Sequence, residues 1–279
     1  MAADLGQRQG ELTSGDGTRL FWQAWPVPEP KAVVAVVHGL GEHSGRYARL
    51  AAALNVRGVG CCAVDLRGMG RSDGRRGHVD RWQQWIDDCA AFHGLAVEQA
   101  GGGEVVPLGH SFGGVVLATA VLSGAVRPGR FVLSNPAFRS AVRIPAWKLL
   151  LGRAASGIAP TLAMSNEVDP ALISRDPAVG EQYSADTLVH DRITSRLFTE
   201  WVAASETALG RAPELTVPVL LIVSGDDRIV DATGVLEFAS RAGRAATVKR
   251  YAERYHEPFN DLGADEVYGD LAAWLEARP

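Results

Sequence analysis

The segment Gly109-His110-Ser111-Phe112-Gly113 constrains this chain most. It sets one serine in G-x-S-x-G, between the apolar run Glu104-Val105-Val106-Pro107-Leu108 and a helix-like run from Gly114 to Ala120. A strand that turns sharply into a helix lifts the Ser111 hydroxyl clear of a sheet edge, which is the geometry of a nucleophile elbow. The flanking glycines suit that turn, because the backbone is strained at the nucleophile and residues without Cβ leave room for strand and helix to crowd together. Pro107 cannot donate to a ladder, so a local irregularity is expected just before the elbow.

The rest of the chain supplies a sheet to carry it. Leu12 to Trp25, broken at Gly15-Asp16-Gly17, reads as an antiparallel hairpin entering at a sheet edge. Ala32 to Val37 and Gly60 to Val64 are uninterrupted apolar runs, as expected of strands covered on both faces. Helical spacing follows from Tyr47 to Val56 and from Arg81 to Gln99, the latter ended by Gly101-Gly102-Gly103. Phe131 to Ser134 and Val219 to Val223 resume the buried-strand pattern, and a helix near Thr233 to Ala242, a strand at Thr247 to Tyr251 and a last helix ending near Leu275 complete it. This alternation predicts an α/β fold with a mostly parallel central sheet, right-handed crossovers and helices on both faces.

Between Ala137 and Thr207 strand runs vanish and helix-like segments appear. The expected division is therefore a core of residues 1–136 and 208–279 with residues 137–207 inserted as a helical cap. Ile144 to Leu151, with Trp147 and three consecutive leucines, reads either as an amphipathic cap helix exposing an apolar face or as a helix docked on the main sheet.

Composition narrows the function classes. Over 279 residues, 47% hydrophobic and 22% charged content excludes a disordered or fibrous chain. A net charge of −4, with dispersed basic residues, offers no footprint for nucleic acid. Met1 to Arg8 lacks the apolar core of a secretory signal and no run is long enough to span a bilayer, so a cytoplasmic location is expected. Cys61, Cys62 and Cys89 read as packed free thiols. The oligomeric state is not legible.

A serine hydroxyl needs a base, and the base needs a group that fixes its tautomer. In open parallel sheets chemistry gathers just beyond the carboxyl ends of strands. Of the seven histidines, His38 and His43 fall in an expected oxyanion loop, His78 in a polar loop, His93 in a helix and His190 in the cap. His110 adjoins the nucleophile, which leaves His256 beyond the strand Thr247 to Tyr251 as general base. After Val219 to Val223, Asp226 and Asp227 both offer a carboxylate, and Asp227 is chosen; the order Ser111, Asp227, His256 is the one usual in α/β-hydrolases. Two backbone N–H groups should meet the developing oxyanion, from Phe112 and from the His38-Gly39-Leu40 loop at Leu40. No complete G-x-G-x-x-G, H-E-x-x-H, C-x-x-C or Walker loop is present, so no cofactor and no metal are expected.

Taken together, His38-Gly39-Leu40-Gly41-Glu42-His43-Ser44-Gly45-Arg46-Tyr47, Gly109 to Gly114 and Ile173-Ser174-Arg175-Asp176-Pro177 carry a resemblance covering nearly the whole chain. The chain resembles the monoacylglycerol lipase and lysophospholipase branch of the α/β-hydrolases, departing from its pattern at Met69, Phe112 and Thr187. The resemblance implies an α/β-hydrolase fold, a cap, an acyl tunnel and cleavage of a single-chain lipid ester; an apolar face on the cap would allow transient contact with a membrane surface. It also implies that Glu42, Arg46, His110 and Tyr183 shape a polar head-group pocket, although Glu42 and Arg46 read equally as a loop-holding ion pair. A serine aminopeptidase, a short-chain carboxylesterase and a non-catalytic ligand-binding module on the same scaffold remain alternatives.

Overall fold

The computed structural model describes residues 6–141, 152 and 154–277. The hairpin of β1 (Arg8–Thr13) and β2 (Arg19–Trp25) leads into β3 (Ala32–Val37), helix α1 (Ala48–Asn55) and β4 (Gly60–Val64). Helix α2 (Gln83–Ala100), β5 (Glu104–His110), α3 (Phe112–Leu122) and β6 (Phe131–Ser134) follow. Two short strands, β7 (Ala163–Ser165) and β8 (Arg192–Thr194), flank α4 (Pro177–Ala185) and precede α5 (Ser195–Arg211). The chain closes with β9 (Val219–Ser224), α6 (Ala232–Ala242), β10 (Ala246–Tyr251) and α7 (Ala264–Glu276).

Eight strands form one sheet in the order β1-β2-β4-β3-β5-β6-β9-β10. The β1–β2 and β2–β4 pairings are antiparallel, and the remaining pairings run parallel. Side chains alternate between faces of a strand, and each face here is covered by helices. Val33, Ala35 and Val37 thus join a core with α2, α3, α5 and α6, while Val34 and Val36 join a second core with α1 and α7. Burial on both sides is why β3, β4 and β9 read as unbroken apolar runs. Burial also pushes the free thiols of Cys62 and Cys89 up to about 12, as befits inert packed cysteines.

Two sequence expectations are corrected. Strand β5 continues unbroken through Pro107, which pairs in register with Ala35, and the ladder to β6 begins only at Leu108. Pro107 therefore has no strand partner on its β6 side, and the expected irregularity is absent. The segment between β6 and β9 is not strand-free either, because Ala163–Ser165 and Arg192–Thr194 pair antiparallel there. Ile144 to Leu151 lies outside the described residues. Helix α5 runs through residues 207 and 208 and packs along α3, with Asp176 capping α4 and Thr194 capping α5.

Candidate active site

At the end of β5, Ser111 adopts φ 53° and ψ −120°, a left-handed conformation that a serine adopts at some cost. The surroundings impose it. Ser111 N–H donates to Ser134 O (2.9 Å), and Ser111 O accepts from Gly114 N–H (3.0 Å) and Ala137 N–H (2.9 Å). A Cβ at Gly113 would lie 2.3 Å from the carbonyl oxygens of Val37 and His38, and one at Gly109 would lie 2.6 Å from Gly113 O. The elbow glycines thus let the start of α3 rest directly on the ends of β3 and β5.

Two loops bring the other candidates to this point. His256, beyond β10, places Nε2 2.9 Å from Ser111 Oγ and Nδ1 2.7 Å from Asp227 Oδ2. Asp227, beyond β9, accepts the N–H groups of Ile229 and Val230 on Oδ1, both at 2.9 Å. An imidazole whose Nδ1–H points at Asp227 leaves Nε2 free to accept the serine proton. Burial disfavours the imidazolium, but the Asp227 carboxylate outweighs it and His256 lies above the ordinary histidine value. Burial likewise opposes the charge on Asp227, yet His256 and the two backbone N–H groups hold it below the ordinary aspartate value. Asp226, the rejected neighbour, pairs with Arg228 at 3.0 Å and is 44% exposed.

Phe112 follows the serine at the start of α3, and Leu40 follows Gly39 in the loop after β3. Neither backbone N–H donates to another atom among the described residues, and a Cβ on adjoining Gly39 would lie 3.3 Å from Ser111 Cβ. The Phe112 ring is fully buried, in edge contact with Trp82, Trp85 and Trp201. Glu42 accepts from Gly39 N–H and from Tyr47 Oη (2.8 Å), and Arg46 Nε donates to its other oxygen at 3.1 Å. Arg46 Nη2 also binds both oxygens of Glu257, at 2.8 and 2.7 Å, and its guanidinium lies 4.8 Å from the centroid of Tyr183. Burial works against the charge on Glu42, while His110, Arg46 and the Gly39 N–H hold it well below the ordinary glutamate value. Burial raises Glu257 despite Arg46, and the nearby Glu42 carboxylate adds to the rise. His110 stacks obliquely on His256, with ring centroids 4.9 Å apart. Burial and that neighbour push it down to about 4, so it is neutral near pH 7.

Of the remaining histidines, His190 contacts the Gly68 carbonyl, whereas Nδ1 of His93 is buried without a hydrogen-bond partner among the described residues. His38 accepts Leu66 N–H on Nε2, His43 contacts Asp186, and His78 contacts Thr194. Among the described residues no three His, Cys, Asp or Glu side chains cluster as metal ligands, and no helix is long and apolar enough to cross a membrane.

The family model described as "Serine aminopeptidase, S33" matches residues 28–263. The chain belongs to this family of α/β-hydrolases. The label names the family, not a reaction measured on this chain. A monoacylglycerol lipase of Mycolicibacterium smegmatis is 30% identical over 265 residues, covering 93% of each protein. A Dictyostelium discoideum abhydrolase domain-containing protein is 31% identical over 96% of this chain, although the chain spans only 29% of that protein's length. The crystal structure of Paleococcus ferrophilus monoacylglycerol lipase superposes with a TM-score of 0.81 at 29% identity, covering 97% of this chain and 98% of the other. The eight-stranded, mostly parallel sheet is the α/β-hydrolase fold, and the chain lies on its monoacylglycerol lipase branch.

Three residues at this hydrolase site escaped the sequence reading. Tyr47 and Glu257 complete the Glu42–Arg46 network, and Asn135, at the end of β6, touches the His256 loop. Position after a strand was a usable signal for Asn135. Tyr47 ends the His38–Tyr47 motif, and for Glu257 neighbourhood to His256 in sequence was the hint.

Proposed function

We propose that this protein is a serine carboxylic-ester hydrolase that cleaves single-chain lipid esters, monoacylglycerols or lysophospholipids, through an acyl-Ser111 intermediate. One observation carries the reading: a continuous hydrogen-bonded relay of 2.7 and 2.9 Å from Asp227 through His256 to Ser111 Oγ. Ser111 Oγ attacks the ester carbonyl while its proton passes to His256 Nε2, and Asp227 stabilises the resulting imidazolium. The N–H groups of Leu40 and Phe112 meet the oxyanion. Collapse expels the alcohol, which takes the proton from His256. Water, deprotonated by His256, then attacks the acyl carbonyl and frees Ser111 and the fatty acid.

In this reading residues 137–207 cap the site, and His110 and Tyr183 border the alcohol portion of the substrate. Glu42 and Arg46 shape that pocket from behind, the Glu42 carboxylate and Arg46 Nε and Nη2 being engaged within the protein. The exposed Ile158, Leu162 and Met164 suit transient contact of the cap with a lipid surface in the cytoplasm. Similarity to proteins named monoacylglycerol lipases favours lipid esters over peptides.

The test is a chain-length series of monoacylglycerols, a lysophospholipid, p-nitrophenyl esters and an aminoacyl anilide, on wild type and Ser111→Ala. Ester turnover is expected, with kcat lower in the variant by on the order of 10⁴- to 10⁶-fold, and a fluorophosphonate should label wild type only. Preferential cleavage of the anilide would overturn the substrate reading, and a variant retaining most activity would overturn the mechanism.

A further inference from the structure

Asn135 sits where the three arms of the site meet. It follows β6 in a left-handed conformation, φ 41°, and is 2% exposed. Asparagine tolerates that conformation better than most side chains. Its amide is fully engaged: Oδ1 accepts Ser224 N–H, while Nδ2 donates to Ser224 Oγ and to the backbone carbonyl of His256, all at 2.8 Å. Its own N–H donates to Ile222 O at 2.9 Å. Ser224 ends the strand that delivers Asp227, and the preceding residue, Ser134, accepts the N–H of Ser111 at 2.9 Å. One buried side chain therefore ties the β9 end to the His256 loop, next to the residue that holds the nucleophile.

We infer that Asn135 is a positioning residue for the general base, fixing the His256 backbone so that its ring spans Asp227 and Ser111 at once. No atom of Asn135 touches the reacting groups, so it acts through His256. The amide suits the task because the site asks for an acceptor toward Ser224 N–H and a donor toward His256 O in one planar group. Losing it leaves the His256 carbonyl without that donor and lets the loop shift. A misplacement of about 1 Å at a reacting group costs on the order of 100-fold in rate.

This inference rests on the serine-hydrolase reading, and the experiment separates the two. Asn135→Gly removes the amide while keeping the left-handed backbone accessible, and Asn135→Ala removes the amide with a strained backbone. Each is compared with wild type for kcat and KM on a p-nitrophenyl ester, the pH dependence of kcat/KM, and melting temperature. Asn135→Gly is expected to lower kcat by about 10- to 100-fold with KM within about twofold. The acidic limb of its pH profile should move to lower pH, because His256 loses part of its contact with Asp227. Should Asn135→Ala fail to fold, the glycine variant still decides. A glycine variant that melts lower but keeps wild-type kcat and pH profile makes Asn135 merely structural and overturns the inference, as does a change confined to KM. Wild type inactive on every ester would instead defeat the hydrolase reading itself.

Discussion

Ser111, His256 and Asp227 are each held in a state that isolated side chains avoid. Ser111 takes a backbone conformation costing about 1–3 kcal/mol, and the carbonyl and amide partners around it supply the compensation. His256 is buried yet lies above its ordinary value because Asp227 stands 2.7 Å away. The sign of the pH effect follows from that shift. Below its value His256 is protonated and accepts nothing from Ser111, so kcat/KM should fall on the acidic side of a midpoint higher than that of an ordinary histidine. In Asp227→Asn the largest raising contact disappears while burial and the smaller pull of Glu257 and Glu42 remain, so the midpoint should move down in pH as kcat drops by about 10⁴-fold. A pH-rate profile of both proteins checks this; an acidic midpoint unchanged by the substitution would detach the limb from the His256–Asp227 pair.

Among elements, those buried on both faces were the most legible. Ala32–Val37 and Gly60–Val64 carry no polar residue, and their bounds read directly from the apolar runs. Ala163–Ser165 and Arg192–Thr194 were not legible, since three-residue strands are too short to show a period, and the first is mostly exposed while the second mixes exposed Arg192 with buried Ile193 and Thr194. The triad could be found because each member sits just past a strand end. Asn135 also sits just past a strand end, but its role was hidden because its partners lie 89 and 121 residues away and only the folded sheet brings them together. The same holds for Arg46, whose two readings, head-group contact and ion pair, sequence alone left level. It lies between the loop after β3, through Glu42, and the His256 loop, through Glu257. Arg46→Met would strand two buried carboxylates, costing about 3–5 kcal/mol, or roughly 6–20 °C in melting temperature. Glu257 already lies above its ordinary value, so the deficit should shrink toward acidic pH as the carboxylates protonate. A second substitution, Glu257→Gln, should restore part of the loss. Thermal melts at two pH values decide: an unchanged melting temperature with a raised KM would make Arg46 a substrate contact instead.

Across the whole molecule, the 137–207 segment and the sheet meet at the site through main-chain and aromatic contacts. Glu257 N–H donates to Ile173 O at 2.8 Å, His190 N–H to Gly41 O at 2.9 Å, and Thr194 N–H to Gly77 O at 2.9 Å. Each joins that segment to a loop beside Ser111 and His256 or to the loop after β4, so its position and the shape of the loop after β3 are set together. Trp201 on α5 makes the link most directly. Its ring meets the edge of Phe112, outside the segment, at 5.5 Å, and within the segment its Nε1–H donates at 3.0 Å to the carbonyl of Ala137, whose own N–H donates to Ser111 O. Phe112 carries one proposed oxyanion donor, so the aromatic cluster beneath the elbow fixes where that N–H points. Trp201→Ala opens a cavity under it and should cost about 3 kcal/mol of stability, with kcat falling at temperatures where the variant remains folded. Trp201→Phe keeps the ring contact and gives up one hydrogen bond, worth about 1 kcal/mol, and should keep most of kcat. Melting curves and ester kinetics on the two variants read these outcomes separately; equal kcat in both, with only the melting temperature of the alanine variant reduced, would show that the cluster supports the fold without setting the donor.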